Sequence, residues 1–191
     1  MEAPPRSYLS AMRAYSILLI AGSLLCGFGA LAADKKPAAK PAAAAPAGTP
    51  QQSIGTFDDW QAATHVEAGQ TVCYAFTRAK NSSRKLPGRG DVVLTVTQRA
   101  GARDAVALNA GYAYAANAAV AVQIESAAQE FYTAQRYAFA RDGHATVAAL
   151  LKANGLTAKS PVAKAADVVD SFSLKGFKAA YEAVNKACPA K

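Results

Sequence analysis

Apolar and polar residues alternate in short stretches from residue 71 onward, a pattern typical of β-strands. The clearest are TVCYAFTRA at 71–79 and DVVLTVTQRA at 91–100, both rich in β-branched or aromatic residues. A polar loop at 80–90, KNSSRKLPGRG, separates them with Pro and Gly as breakers. The same pattern predicts four further strands, in DAVALNAGYAY, AAVAVQIES, EFYTAQRYAFA and ADVVDSFSLKGF, at 104–114, 118–126, 130–140 and 166–177.

Two other segments show helical spacing. In HATVAALLKANGL the apolar residues recur at helical intervals before an Asn-Gly stop, which predicts a short helix near 144–154. The C-terminal segment turns at Gly176 and then places four apolar residues on one helical face: Phe177, Ala180, Tyr181 and Val184. Five to seven short strands with breaker-rich loops therefore favour a mainly β fold, a sandwich or a barrel, with two helices appended.

The first fifty residues differ in composition and predict export. Arg6 and Arg13 precede an apolar run at 15–28, and small residues follow it. These features predict a secretory signal peptide over residues 1–32, cleaved after Ala32. An uncleaved membrane anchor is the alternative, but the run is shorter than the roughly 20 residues that a spanning helix needs. After cleavage, no transmembrane segment is predicted.

Residues 33–53 are dominated by Ala, Pro and Lys and predict a disordered linker. Residues 54–191 are enough for one domain with a core of its own and too few for two. This part has 16 Lys and Arg against 11 Asp and Glu, a net charge of +5. That charge density is below that of dedicated nucleic-acid binders, so nucleic acid is not an expected partner.

Cleavage of the signal peptide removes Cys26 and leaves Cys73 and Cys188. Two cysteines in an exported bacterial protein predict a single disulfide. The chain-entropy model gives about 4–5 kcal/mol for closing a loop of this length, so Cys188 is interpreted as a staple between the C-terminal helix and an early strand. The alternative is a catalytic or redox thiol. The sequence does not favour it, because there is no Cys-x-x-Cys motif and neither cysteine has a His nearby.

Several motifs follow one another in the order of a known family. They are FDDW at 57–60, VCYAF at 72–76, the basic loop ending in GRGD, GYAY at 111–114, YAFARDG at 137–143, and SFSLKGFKAA at 171–180. In this order they resemble the invasion-associated locus B family of exported alphaproteobacterial proteins. The terminal Ala-Cys fits as well, so the resemblance covers residues 57–188.

The resemblance implies an immunoglobulin-like β-sandwich located in the periplasm or at the outer envelope, or secreted. It implies a link to host-cell invasion in pathogenic members and no known enzyme activity. The chain departs from many members in lacking the extra cysteine pair that they carry in the middle of the domain. We therefore expect a non-catalytic envelope binding or accessory protein, whose partner is an envelope or host protein or an anionic envelope polymer.

Patterns for catalysis or metal binding are weak, and no cofactor, metal ligand or catalytic residue is assigned. His65 and His144 are far apart in sequence and lack metal-ligand spacing. The alternative function is a small periplasmic hydrolase that uses a pair of carboxylates. Two pairs are candidates: Asp58 with Asp59, and Asp167 with Asp170.

The strongest candidate for binding is a basic run on and beside the 80–90 loop. Five cations follow one another with no acidic residue among them: Arg78, Lys80, Arg84, Lys85 and Arg89. Loops on a rigid sandwich often carry binding sites, and these cations suit phosphate or carboxylate groups. The alternative is a solvated loop whose charges keep an edge strand from pairing with another chain.

Aromatic residues provide a second set of candidates. Trp60, the only tryptophan, is interpreted as a core residue, with a stacking contact to a ligand as the alternative. The same two interpretations, core packing or an exposed strip that binds sugar, apply to five further residues: Tyr112, Tyr114, Tyr132, Tyr137 and Phe139.

Overall fold

The computed structural model describes residues 50–190, which form a mainly β structure with two helices. This confirms the predicted fold class, including the short helix and the C-terminal helix. The predicted signal peptide at 1–32 and residues 33–49 of the predicted linker lie outside the described residues. Within residues 50–190, no helix is both long enough and apolar enough to cross a membrane.

The described chain contains eleven strands and two helices. Their bounds are β1 Gln52–Phe57, β2 Trp60–Glu67, β3 Gln70–Arg78, β4 Asn81–Ser82, β5 Val93–Arg99, β6 Ala102–Asn109, β7 Val120–Ile124, β8 Ala127–Ala134, β9 Tyr137–Ala140, α1 Gly143–Leu150, β10 Gly155–Val162, β11 Ala165–Ser173 and α2 Phe177–Ala187. Both helices lie where the sequence places them.

The strand count differs from the predicted five to seven. Residues 130–140, predicted as one strand, belong to the hairpin β8–β9, because Gln135 adopts a left-handed φ of +54° and reverses the chain. β1, β2, β4 and β10 were not predicted. β1 begins at Gln52, one residue before the expected end of the linker.

All eleven strands pair into one antiparallel sheet with the order β1-β2-β3-β5-β6-β9-β8-β7-β10-β11-β4. β4 begins only three residues after β3 ends, yet it pairs with β11 at the far end of this order. Two backbone bonds extend that contact, from the Lys80 N–H to the Ser171 carbonyl and from the Ser83 N–H to the Val169 carbonyl, both 2.8 Å. The sheet therefore curls back on itself around a single core.

The inner face of the curled sheet supplies most of that core. Buried side chains alternate along the central strands, for example Leu94 and Val96 on β5 and Val106 and Leu108 on β6. They belong to one cluster with Leu156 and Phe172 of β10 and β11, and with the buried residues of both helices. The two helices therefore cover apolar surface that the strands leave open.

Helix α2 is attached to the first strands by packing and by a disulfide. Phe177 lies 4.7 Å from the Trp60 ring, centroid to centroid. Gly176 precedes the helix with a φ of +87°, and a Cβ there would lie 2.0 Å from the Phe57 carbonyl oxygen. At the other end, Cys188 is bonded to Cys73 of β3, with a Cα–Cα distance of 6.0 Å. The predicted disulfide is thus present.

Loss of this disulfide should destabilise the fold without abolishing it. Cys73 and Cys188 are 115 residues apart, so the bond removes substantial entropy from the unfolded chain, about 4–5 kcal/mol in the loop-entropy model. We expect Cys188→Ser to lower the melting temperature under oxidising conditions, measured by circular dichroism. Wild type with its disulfide chemically reduced is the matched control, and it should have the same melting temperature as the variant. An unchanged melting temperature would contradict the staple role.

Candidate functional site

The predicted basic loop forms a shallow depression beside the closure of the sheet. Its volume is about 390 Å³, and we call it the basic cleft. The side chains that line it include Arg78, Ser82, Arg84, Lys85, Leu86 and Asp91. The residues come from the end of β3, from β4 and from the loop to β5, so the same chain reversal that closes the sheet positions the cleft.

Arg89 also lines the cleft, but unlike the other cations of the candidate binding loop it is held in a buried ion pair. Its side chain is 8% exposed and forms a bidentate ion pair with Asp170, whose side chain is 0% exposed. The two N–H···O distances are 2.9 and 2.6 Å. Arg89 also donates to the Ala110 carbonyl at 2.7 Å and lies 5.4 Å from the Tyr112 ring centroid. The charge of Arg89 is therefore neutralised by Asp170 inside the fold.

The buried ion pair is supported by close backbone packing. Ser82 donates to the Asp170 carboxylate at 2.6 Å, which supplies a further partner for a buried charge. Next to it, the Gly90 N–H donates to the Gly111 carbonyl at 2.9 Å. A Cβ on Gly111 would lie 2.3 Å from the Gly90 oxygen, so only glycine permits this approach.

The remaining four cations of the loop are solvent-accessible to different degrees. Arg78 pairs with Asp91 at 3.1 Å, and Lys80 pairs with Asp59. The Lys80 ammonium, followed by Ser173, lowers the pKa of Asp59. Among the described residues no carboxylate pairs with Arg84 or Lys85; Arg84 donates to the Ala166 carbonyl at 2.7 Å. These two side chains leave the cleft with an uncompensated positive charge.

The structure divides the candidate aromatic residues between the core and the surface. Trp60 is 0% exposed and donates to the Ser173 carbonyl at 3.0 Å, so its ring offers no face to a ligand. Tyr114 is buried as well, and this burial raises its pKa to about 12. In contrast, Tyr132 and Tyr137 are 45% and 39% exposed.

A buried polar cluster centred on Asp104 was missed from the sequence. The Asp104 carboxylate accepts hydrogen bonds from Gln98 at 2.6 Å and Tyr181 at 2.7 Å, and lies 3.0 Å from Nδ1 of His144. Burial alone would raise the pKa of Asp104, but the bonds from Tyr181, Gln98 and His144 outweigh it and lower the pKa. Because its partners lie on β5, α1 and α2, this carboxylate attaches both helices to the sheet.

The four carboxylates considered for a hydrolase are each paired with a different cation. The pairs are Asp58 with Lys175, Asp59 with Lys80, Asp167 with Lys159, and Asp170 with Arg89. An acid and a base that share a substrate need two carboxyl groups facing one cleft. Within residues 50–190, no group of three or more His, Cys, Asp or Glu side chains is arranged to hold a metal ion.

Comparison with known proteins identifies the family. A family model described as invasion associated locus B (IalB) protein matches residues 60–185, well over half of the 191 residues. The chain belongs to the IalB family. The resemblance drawn from the sequence motifs is thereby confirmed. None of the curated proteins compared matches the chain.

A solved structure supports the same fold for this IalB-family chain. The crystal structure of invasion associated protein B from Bartonella henselae is similar with a TM-score of 0.52 and 17% sequence identity. The alignment covers 70% of this chain and 95% of the other. At that identity the similarity establishes the fold and leaves the binding activity of the IalB-family chain to be argued from its own residues.

Breaking the Arg89–Asp170 pair should destabilise the fold strongly. Arg89→Met or Asp170→Leu alone leaves one buried charge without its partner, a cost of about 3–5 kcal/mol in the free energy of unfolding. The double variant removes both charges and should recover most of that loss. Chemical denaturation measures all three. Arg84→Met, which alters a half-buried arginine of the same loop that has no carboxylate partner among the described residues, is the control. Single variants no less stable than this control would contradict the structural role.

The Asp104 cluster should make stability depend on pH. Because the folded pKa of Asp104 lies below its ordinary value of 3.8, its contribution is present above that pH and is lost as pH falls through the lowered value. As pH falls, we expect the free energy of unfolding of Asp104→Asn to decrease less than that of the wild type. Asn tolerates the local φ of +55°.

Denaturant titrations from neutral pH to below 3.8 measure this effect. Asp91→Asn, which removes a carboxylate whose side chain is 71% exposed, is the matched control and should keep the wild-type slope. Equal slopes for wild type and Asp104→Asn would show that the carboxylate does not stabilise the folded state.

Proposed function

We propose that this IalB-family chain is an exported, non-catalytic envelope protein that binds an anionic partner through the basic cleft. The partner is an acidic segment of an envelope or host protein, or an anionic envelope polymer. In this proposal residues 1–32 direct export, the segment from residue 33 is a tether, and the β domain is the binding unit. The family and the disulfide, which is compatible with an oxidising compartment, support this location.

The observation that carries the proposal is the uncompensated charge of the cleft. Apart from Arg89, which Asp170 neutralises, the cleft is lined by three cations, Arg78, Arg84 and Lys85, and among residues 50–190 by one carboxylate, Asp91. The Arg78 and Asp91 side chains are 57% and 71% exposed, and an ion pair so exposed contributes at most about 1 kcal/mol. Arg78 can therefore exchange Asp91 for a phosphate or carboxylate of a ligand at little cost.

The hydrolase alternative receives no comparable support. Each of its candidate carboxylates is held by a cation of its own, and Asp170 is buried in the structural pair with Arg89. We therefore propose no catalytic role for these acids.

Neutralising the two unpaired cations should weaken binding. The purified domain is mixed with isolated cell envelopes at low and at high ionic strength, and the co-sedimenting fraction is measured. For Arg84→Gln/Lys85→Gln we expect a several-fold smaller bound fraction at low ionic strength. Salt should reduce binding of the wild type far more than binding of the variant. At 0.1 M, salt screens interactions between exposed charges that are more than about 10 Å apart.

The control removes the same amount of charge elsewhere. Lys178→Gln/Lys186→Gln changes two exposed lysines of α2, and this variant should bind like wild type. Equal loss in both double variants would mean that net charge, not the cleft, governs attachment. Equal binding of wild type and the cleft variant would overturn the proposal.

A further inference from the structure

An aromatic surface lies on the outer face of the sheet, on the side opposite the core. Phe76, Thr95, Ala107, Phe139 and Tyr132 are successive cross-strand partners on β3, β5, β6, β9 and β8. Direct partners in antiparallel strands point to the same face, so these side chains form one row. Two more rings flank the row, Tyr74 beside Phe76 and Tyr137 beside Phe139, both at centroid distances of 5.8 Å.

The rings form two walls with a floor of small side chains between them. Phe76 and Phe139 are separated by three strand spacings, roughly 14 Å. Thr95 and Ala107 lie between Phe76 and Phe139; Thr97 and Ala105 flank them on the Tyr74 side, and Val93 and Asn109 flank them on the Tyr137 side. A hollow of about 370 Å³ reaches both walls, and its lining includes His65, Tyr74, Thr95, Thr97, Arg99 and Tyr137. We call this surface the outer groove.

Two rings of the outer groove, those of Tyr132 and Tyr137, remain exposed although they are large. Tyr132 and Tyr137 are 45% and 39% exposed, and the Tyr132 ring stacks on Phe139 at 5.5 Å. Adjacent exposed rings of this kind characterise binding surfaces, since single exposed apolar residues are the norm elsewhere. The mutual stacking holds the rings in place before a ligand arrives, which reduces the entropy lost on binding.

The rim of the outer groove carries charges that cancel. Three arginines each pair with a carboxylate: Arg78 with Asp91 at 3.1 Å, Arg99 with Glu67 at 3.0 Å, and Arg141 with Glu130 at 3.9 Å. Two of the guanidinium groups also lie over rings, Arg78 over Phe76 at 6.0 Å and Arg141 over Tyr132 at 5.6 Å. With no net charge, this rim favours a neutral partner that is rich in hydrogen-bonding groups.

We propose that the outer groove binds a neutral saccharide chain. Pyranose rings present a face of C–H groups, whose partial positive charge suits the negative face of an aromatic ring. Their hydroxyl groups can both donate to the rim carboxylates and accept from the guanidinium groups. A surface lined by rings, threonines and neutralised ion pairs matches both requirements. This site goes beyond the proposed function, because it is separate from Arg84 and Lys85 and recognises uncharged ligand.

The test uses defined oligosaccharides and the purified protein. Binding of maltohexaose, cellohexaose and chitohexaose is measured by calorimetry, with dextran sulfate as an anionic comparison. We expect saturable binding of at least one neutral probe, little affected by salt. Tyr132→Ala/Tyr137→Ala should weaken it roughly tenfold or more, as expected for the loss of two stacked rings. Tyr132→Phe/Tyr137→Phe keeps the rings and should retain most of the affinity.

Three controls make the result decisive. Leu151→Ala truncates an apolar side chain that is 39% exposed at the C-cap of α1, and it should bind like wild type. Fluorescence of the buried Trp60 verifies that each variant is folded. Arg84→Gln/Lys85→Gln should bind the neutral probe normally, so failure of the cleft proposal and failure of this one are distinguishable.

Several outcomes would overturn the saccharide proposal. They are no saturable binding of any neutral probe, unchanged binding by the Ala double variant, or binding of dextran sulfate alone. Light scattering provides another. A dimer that is lost on Tyr132→Ala/Tyr137→Ala would show that a second copy of the chain covers the groove instead.

Discussion

The buried ion pair between Arg89 and Asp170 is the interaction on which the closure of the sheet depends. Asp170 lies on β11 directly opposite Ser82 of β4, where the chain that has left β3 joins the far end of the strand order. Arg89 links this point to the end of β6 through the Ala110 carbonyl. The pair costs desolvation, and it repays that cost only with all its partners present. Closure is therefore specific to one register, because a shifted strand would leave a buried charge unsatisfied.

The helices are attached by a different set of constraints, which together surround the same core. The disulfide attaches the end of α2 to β3, and the Asp104 cluster attaches α1 and α2 to β5 and β6. Both constraints act on the inner face of the sheet. The outer face carries none of them, so residues there are free to serve recognition without affecting the stability of the fold.

The sequence predicted what depends on local pattern and missed what depends on distant partners. Alternation found the central strands, and Gly176 marked the start of α2, because both effects act within a few residues. Asp170 shares a face of its strand with Val168 and Phe172, which indicates a buried partner without naming it. That partner, Arg89, is 81 residues away and looks in sequence like Arg84 or Lys85. Only the fold distinguishes a structural arginine from a free one.

The same distinction explains why net charge alone is a poor guide to binding here. Once their neighbours are known, the five loop cations become one buried ion pair, two exposed pairs and two side chains without a carboxylate partner among residues 50–190. Arg78 lies at the boundary, since it lines the basic cleft and also covers Phe76 at the edge of the outer groove. On one side of Arg78 the surface has uncompensated charge, whose effect decays with ionic strength. On the other side the charges cancel and the rings dominate, so affinity there depends on contact area and geometry, which salt hardly changes.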